Sequence, residues 1–305
     1  MNDTSVAVVI PSYNMKWCIV RAIKSCQTQC FSVSEIIIVD DCSTDNTEAA
    51  VRDLMARDPS IKYYKSQKNL GHLAALTLGA LKTDSEWVAL LDADDELTWN
   101  SIEARVVAAN EYQKETGIKP QLVYGDHHEG IKFARLKGYV FPYLCKELCL
   151  CQTSTMLLGR ECIPYLPITN NPWNTDDEIV LAIGKRFHIL HCGATVAVYH
   201  SHGSLTRMSN SPKKMFEGVF QLVCDHRVDI IRTQGIKHLL FWWLRILKAL
   251  VNYQVVVATA YISASQPTIG GWCQSFLLRA YRRGLTQMNL SLTLFLRRHF
   301  DSEFF

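Results

Sequence analysis

The chain has 305 residues, of which 48% are hydrophobic and 20% charged, with a formal net charge of +3. This composition excludes a disordered or fibrous protein and suffices for one large α/β domain with additions or for two modest domains. Residues 201–305 carry 13 Lys and Arg against 5 Asp and Glu, whereas the preceding residues carry 19 against 24. We therefore expect the N-terminal part to bind a metal or cationic ligand and the C-terminal part to face something anionic.

Apolar runs alternate with helix-period segments over residues 1–125. This alternation predicts right-handed crossovers and a mainly parallel sheet covered by helices on both faces. The predicted elements are strand 6–10, helix 16–29, strand 35–39, helix 47–57, strand 61–64, helix 72–82, strand 87–91, helix 101–116 and strand 121–124.

Polar residues follow the first, second and fourth predicted strands. Ligands of parallel sheets bind outside the carboxyl ends of the strands, so we expect these residues to line one crevice. The acids after the fourth strand could hold Mg²⁺ or Mn²⁺ and leave room for diphosphate oxygens, although a solvated acidic turn is the alternative. The three groups are residues 11–14, 40–43 and 92–95.

The pattern is weaker over residues 125–208. We predict an extended segment at 138–144, a strand at 153–158, and strands at 187–190 and 195–199. A helix is predicted to begin near Thr175, because three acids in its first turn would favour its N-terminus.

The region after about residue 209 is predicted to be helical, and it is basic and rich in Trp. Helix 215–234 is amphipathic, and residues 235–251 have a narrow polar stripe and a wide apolar face. Residues 249–278 lack charge, but Pro267, Gly270 and Gly271 argue against one straight transmembrane helix. We interpret this region as helices lying on an anionic membrane surface. The alternative is a helical tail packed on the domain or forming a homo-oligomer contact.

The eleven cysteines are scattered, and no secretory signal is recognisable ahead of the first predicted strand. We therefore expect reduced thiols in the cytosol. Cys145, Cys149 and Cys151 lack the paired spacing of a zinc site, so reduced core or surface thiols are the favoured interpretation.

Four motifs occur in the order typical of one family: Pro11-Ser12-Tyr13-Asn14, Asp40-Asp41-Cys42-Ser43, Asn69-Leu70-Gly71 and Asp92-Ala93-Asp94-Asp95. With them, the chain resembles the family 2 glycosyltransferases over about residues 5–208. The resemblance implies a GT-A (Rossmann-like) fold with a nucleotide-sugar-binding half at 1–125, an acceptor and catalytic half at 126–208, and a helical extension at 209–305.

The resemblance also implies residue roles at the donor. Pro11 and Tyr13, with Asp40 or Asp41, would frame the nucleobase. Asp94 would bind Mn²⁺ or Mg²⁺, which in turn bridges the two phosphates. Asp92 would reach the ribose and share the metal, and Asp95 would contact the donor sugar or orient its neighbours. His202 would match a histidine that holds the metal or diphosphate, against the alternative of a structural histidine.

The family carries a later acidic pair whose second carboxylate deprotonates the acceptor hydroxyl. Asp176 and Asp177 match this pair, and we take Asp177 as the base and Asp176 as the alternative. A carboxylate base suits an inverting single displacement. The competing interpretation is that these acids only cap a helix.

The chain departs from the family pattern at two places. Cys42 stands where the family commonly has Gly, and Leu76 and Thr77 stand where an Arg-Asn pair often faces the diphosphate. Lys68, beside Asn69, could supply the missing charge.

The resemblance implies a metal-dependent inverting glycosyltransferase that uses a nucleotide sugar, such as a UDP-sugar. Its acceptor would be a saccharide or a lipid-linked saccharide in bacterial surface-glycan synthesis, at the cytoplasmic face of the cell membrane. Two alternatives are a catalytically silent scaffold or glycan-binding subunit and a sugar nucleotidyltransferase. The latter usually opens with a Gly-rich basic loop, and none follows Ile10. Nucleic acid is not an expected partner, because the basic residues follow no recognition motif.

Overall fold

The computed structural model describes residues 4–128, 132–147, 150–168, 175–200 and 212–244, together with 246, 247 and 250. The chain divides into two compact units. The first comprises Met1–Asn170 and Thr175–Gly203, and the second comprises Asn171–Asn174 and Ser204–Phe305. The predicted boundary at residue 208 lies outside the described residues and stays a prediction.

The described part of the first unit is built on a nine-stranded sheet flanked by helices. Its strands are β1 Val6–Ser12, β2 Glu35–Asp40, β3 Ile61–Lys65, β4 Trp87–Leu90, β5 Glu96–Leu97, β6 Leu122–His127, β7 Lys137–Gly138, β8 Leu157–Gly159 and β9 Ile189–Val198. Its helices are α1 Ile19–Gln27, α2 Thr47–Met55, α3 His72–Ala80, α4 Ser101–Thr116, α5 Phe141–Glu147 and α6 Thr175–Gly184.

The sheet has the strand order β3-β2-β1-β4-β8-β6-β9-β5, with β7 paired to β9. β3, β2, β1 and β4 are mutually parallel, and β6 is parallel to β9. β8 is antiparallel to both neighbours, and β5 and β7 are antiparallel to β9. The predicted mainly parallel sheet is therefore confirmed, because the longer pairings are parallel and the antiparallel ones are short.

Burial at the centre of the sheet explains why β1, β2 and β4 consist mainly of consecutive apolar residues. Helices cover both faces of a parallel sheet, so alternation between apolar and polar residues is lost. α3 packs closely on β1, since a Cβ atom added to Gly79 would lie 2.4 Å from Val9 Cγ1. A larger residue at this position would therefore have to displace the Val9 side chain.

Three predictions between residues 138 and 199 are wrong in detail. The segment predicted as extended at 138–144 contains the start of α5, where Pro142 lies in the first helical turn, a position that tolerates proline. Residues 153–155 form a 3₁₀ turn rather than strand. The two strands predicted at 187–190 and 195–199 are the single strand β9, whose register with β6 shifts at irregular positions.

Arg105 on α4 is fully buried and holds the 3₁₀ turn in place. Its Nη1 donates to the main-chain oxygens of Thr155 at 3.1 Å and Met156 at 2.8 Å. Its other guanidinium nitrogens donate to the main-chain and hydroxyl oxygens of Ser101. Burial lowers the pKa of Arg105 to about 10.

We expect Arg105→Ala to lower the free energy of unfolding by about 3 kcal/mol or more, because it leaves several buried oxygens without donors. Urea denaturation measures the change. Arg52→Ala is the matched control, since Arg52 is exposed and pairs with Glu48 within one helix. Equal stability losses in the two variants would contradict the assignment.

In the second unit, α7 spans Pro212–Gln234, and residues 236–244 are also helical. The predicted helix at 215–234 is therefore confirmed. Within the described residues, none of the helices has both the length and the hydropathy needed to cross a membrane. Residues 251–305, which carry most of the predicted membrane-binding region, lie outside the described residues.

Candidate active site

Three carboxylates cluster immediately after β4. Asp92, Asp94 and Asp95 each offer one oxygen, and these oxygens lie within 4.8 Å of one another. Asp95 is buried, whereas Asp92 and Asp94 are half-buried. Arg21 on α1 fixes the turn, because its Nη2 donates to the main-chain oxygen of Asp94 at 2.6 Å.

The cluster fits a hard divalent cation. Mg²⁺ binds oxygen ligands at about 2.1 Å, so two of its ligand oxygens lie at most about 4.2 Å apart, which small side-chain rotations would achieve here. Burial and the neighbouring charge of Asp92 raise the pKa of Asp95 to about 7. A bound cation would relieve this repulsion among like charges.

Asp176, in the first turn of α6, is close to this cluster. Burial and the charge of Asp92 raise the pKa of Asp176 to about 6. Its Oδ1 accepts hydrogen bonds from the amide of Thr153, at 3.0 Å, and from the Thr153 hydroxyl. Asp177 is half-buried at the next position of α6. The structure therefore places the predicted base Asp176 near the acids after β4.

Ser154 joins the same assembly from the 3₁₀ turn. Its Oγ donates to Asp95 Oδ2 at 2.6 Å and accepts from the amide of Asp92 at 3.1 Å. Ser154 has no exposed surface. Neither Thr153 nor Ser154 was among the predicted site residues.

His72 is a third residue near the acids that was not among the predicted site residues. Its Nε2 lies 2.7 Å from Asp92 Oδ1. Burial acts to lower the pKa of His72, but the charge and hydrogen bond of Asp92 outweigh it and raise the pKa. His72 directly follows the predicted Asn-Leu-Gly motif, and this position was the available signal.

The residues predicted to frame the nucleobase lie at the ends of β1 and β2. Tyr13 is 47% exposed and can offer its ring to a ligand, whereas Pro11 is buried. Asp40 accepts from the amide of Ser43 and the hydroxyl of Tyr63. Asp41 accepts from the amides of Leu70 and Gly71 at 2.7 and 2.8 Å. Both carboxylates are buried, so the structure shows them bracing loops.

The remaining predicted donor residues are spread around this edge. Lys68 and Asn69 are exposed in the loop before α3, and Asn69 Nδ2 lies 3.4 Å from the main-chain oxygen of Asp41. Leu76 and Thr77, at the positions of the Arg-Asn pair, are buried.

His200, which follows β9, contacts Asp95 and Glu96. The amide of His200 donates to Asp95 Oδ1 at 3.4 Å, and its Nε2 lies 2.6 Å from Glu96 Oε1. His202, the predicted metal ligand, lies outside the described residues.

Cys42 adopts a left-handed backbone conformation with φ at 68°, which explains why glycine suits this turn. Removing the strain stabilises the folded chain by about 1–2 kcal/mol. Part of this gain is offset, because glycine has more conformational freedom in the unfolded chain. We expect Cys42→Gly to raise the free energy of unfolding by up to about 1 kcal/mol and Cys42→Val to lower it by at least as much. Cys42→Ala, measured alongside by urea denaturation, controls for loss of the thiol. Destabilisation by Cys42→Gly would contradict the strain argument.

Comparisons with known proteins bear on this site. The family model described as Glycosyl transferase family 2 matches residues 7–132. The chain is 36% identical over 107 residues to the GalNAc(5)-diNAcBac-PP-undecaprenol beta-1,3-glucosyltransferase of Campylobacter jejuni, covering 35% of each protein. It is 37% identical over 90 residues to the succinoglycan biosynthesis protein ExoO of Rhizobium meliloti, covering 30% of this chain and 25% of that protein. The chain spans 35% of the Campylobacter protein and only 26% and 42% of two further curated relatives that it matches.

Solved structures share the architecture at low sequence identity. S. aureus TarS 1-349 in complex with UDP-GlcNAc superimposes with a TM-score of 0.57 at 16% identity, covering 82% of this chain and 81% of that one. The mannosyltransferase PcManGT of Pyrobaculum calidifontis, in complex with GDP-Man and Mn²⁺, gives a TM-score of 0.54 at 18% identity, covering 94% and 84%. These likenesses confirm the predicted GT-A fold.

Proposed function

We propose, from the membership of this chain in the family 2 glycosyltransferases, that it transfers a sugar from a nucleotide sugar to a saccharide or lipid-linked acceptor. The observation that carries the proposal is the meeting of Asp92, Asp94 and Asp95 with Asp176 at one edge of the sheet. The three acids after β4 suit the binding of a cation and a diphosphate. The carboxylate of Asp176 suits the removal of a proton from the acceptor.

Asp94 and Asp92 would hold Mn²⁺ or Mg²⁺, and His202 would be a further ligand. Asp95, which is buried, would orient these acids. The bound cation supplies Lewis-acid stabilisation of the leaving nucleoside diphosphate. Asp92 would also accept a hydrogen bond from a ribose hydroxyl. Tyr13 would stack on the base, Pro11 would shape its slot, and Asp40 and Asp41 would keep the surrounding loops in position. Lys68 and Asn69 are exposed in the loop before α3 and would contact the donor.

Asp176 is our first choice as the general base, and Asp177 is the alternative. A carboxyl group whose pKa is raised to about 6 accepts a proton more readily than an ordinary aspartate. Asp176 would take the proton of the acceptor hydroxyl as its oxygen attacks the anomeric carbon, opposite the departing diphosphate. That geometry inverts the anomeric configuration.

The setting of the reaction rests on the relatives. Their names refer to an undecaprenol-linked saccharide and to succinoglycan biosynthesis, and these support a role in bacterial surface-glycan synthesis. We place the protein at the cytoplasmic face of the cell membrane, peripherally bound through the basic region after residue 209. Binding to an anionic membrane surface and self-association through the same region belong to this proposal.

The proposal is tested by incubating the full chain with UDP- and GDP-sugars in Mn²⁺ or in EDTA and measuring nucleoside diphosphate release. We expect metal-dependent release from at least one donor, rising when a saccharide acceptor is added. Donor binding without any release or transfer would instead identify a catalytically silent member. Release of pyrophosphate from a nucleoside triphosphate and a sugar phosphate would identify a nucleotidyltransferase.

A further inference from the structure

The 3₁₀ turn at Thr153–Thr155 contacts both groups of acids through adjacent hydroxyls. Ser154 Oγ bonds the side chain of Asp95 and the amide of Asp92. Thr153 bonds Asp176 with its amide and its hydroxyl. The acids after β4 and the acid of α6 are far apart in sequence, so this turn is the short connection between them.

The turn is itself rigidly supported. Arg105 donates to the main-chain oxygens of Thr155 and Met156, the two residues that follow Ser154. Thr153, Ser154 and Thr155 are all buried. Burial and these contacts restrict the rotamers of Thr153 and Ser154, which helps to hold their hydrogen-bonding partners in place.

We propose that Thr153 and Ser154 are positioning residues, with Ser154 orienting the cation-binding acids and Thr153 orienting the carboxylate of Asp176. The Thr153 half rests on the proposed function, because it assumes that Asp176 is the base. The Ser154 half concerns cation affinity alone. Hydrogen bonds to ligating carboxylates fix their orientation, and their loss typically costs about 10–100-fold in metal affinity or activity.

The turn offers a matched control in Thr155. Its hydroxyl donates to the main-chain oxygen of Gln152 at 2.7 Å and contacts neither group of acids. Thr155→Val removes a buried hydroxyl from the same turn and keeps its shape. Any general loosening of the turn would therefore appear in this variant as well.

The experiment compares Ser154→Ala, Thr153→Val and Thr155→Val in the full chain. Mn²⁺ affinity is measured by electron paramagnetic resonance without donor, and kcat and donor KM are measured separately. We expect Ser154→Ala to weaken Mn²⁺ binding by about 10-fold or more and Thr155→Val to leave it unchanged. Thr153→Val should retain Mn²⁺ affinity and donor KM but lower kcat by about 10-fold, with recovery in Thr153→Ser.

Equal Mn²⁺ affinity in Ser154→Ala and Thr155→Val would overturn the Ser154 assignment, whether or not the protein transfers a sugar. If Ser154→Ala does not fold, Ser154→Cys replaces it, because a thiol is a weaker donor of similar size. Equal losses of kcat in Thr153→Val and Thr155→Val, or no recovery in Thr153→Ser, would overturn the Thr153 assignment. Absence of transfer by the unaltered chain would count against the proposed function, and the Mn²⁺ comparison would still decide the role of Ser154.

Discussion

Replacing Asp176 by Asn is expected to lower the rate of sugar transfer by about 10²–10⁴-fold, the usual contribution of a general base. Asparagine keeps the size and the hydrogen-bonding capacity towards Thr153 but cannot accept the proton. Donor binding should stay close to that of the unaltered protein, because the acids after β4 are unchanged. Steady-state kinetics and donor titration measure the two effects separately.

Asp177→Asn is the matched comparison, since Asp177 occupies the adjacent position of α6. We expect a much smaller loss of transfer from this variant. The opposite ranking would transfer the role of base to Asp177, as the family resemblance first suggested. Parallel losses of donor binding and transfer in Asp176→Asn would show a structural role.

Asp94→Asn is expected to weaken Mn²⁺ binding and to lower metal-dependent transfer, each by at least about 100-fold. The side chain of Asp94 is half-buried and belongs to the cluster of three carboxylates. Its replacement by an amide removes one negative charge and one ligand oxygen. Its main-chain oxygen still accepts from Arg21, so the turn after β4 should persist. Mn²⁺ titration measures the loss of metal affinity, and the donor assay measures the loss of transfer.

Asp84→Asn provides the control for the loss of an aspartate charge. Asp84 is exposed and pairs with Arg160 at 3.1 Å, away from the cluster. We expect this variant to bind Mn²⁺ and to transfer sugar like the unaltered chain. Undiminished Mn²⁺ binding in Asp94→Asn would contradict the assignment of Asp94 as a ligand.

The alternation of strands and helices over residues 6–124 could be predicted from the sequence because the central parallel strands β1, β2 and β4 consist mainly of continuous apolar runs. The ends of those runs then identify the edge of the sheet, and the acids at 92–95 do cluster there. Helix α4 was predicted with the bounds that it has in the structure, Ser101–Thr116. The hydrophobic pattern of a segment was sufficient to predict its secondary structure where that segment forms a single strand or helix of the sheet and its flanking layer.

The contacts that organise the acids could not be predicted in the same way. Ser154 and Asp95 are 59 residues apart, and their hydrogen bond depends on how β8 inserts beside β4. The position of Asp176 beside these acids depends on the rotation of α6, because successive helical residues point about 100° apart. The antiparallel direction of β8 is likewise set by pairing with β4 and β6, which its three residues do not encode.

The most direct test of the account is calorimetric titration of the full chain with UDP and GDP in the presence of Mn²⁺ and, in parallel, of EDTA. If the acids after β4 form the cation and diphosphate site, one of these nucleotides should bind with Mn²⁺ and lose at least about tenfold in affinity in EDTA, because diphosphate oxygens complete the coordination of the ion. Binding of equal affinity with and without the metal would contradict the central claim.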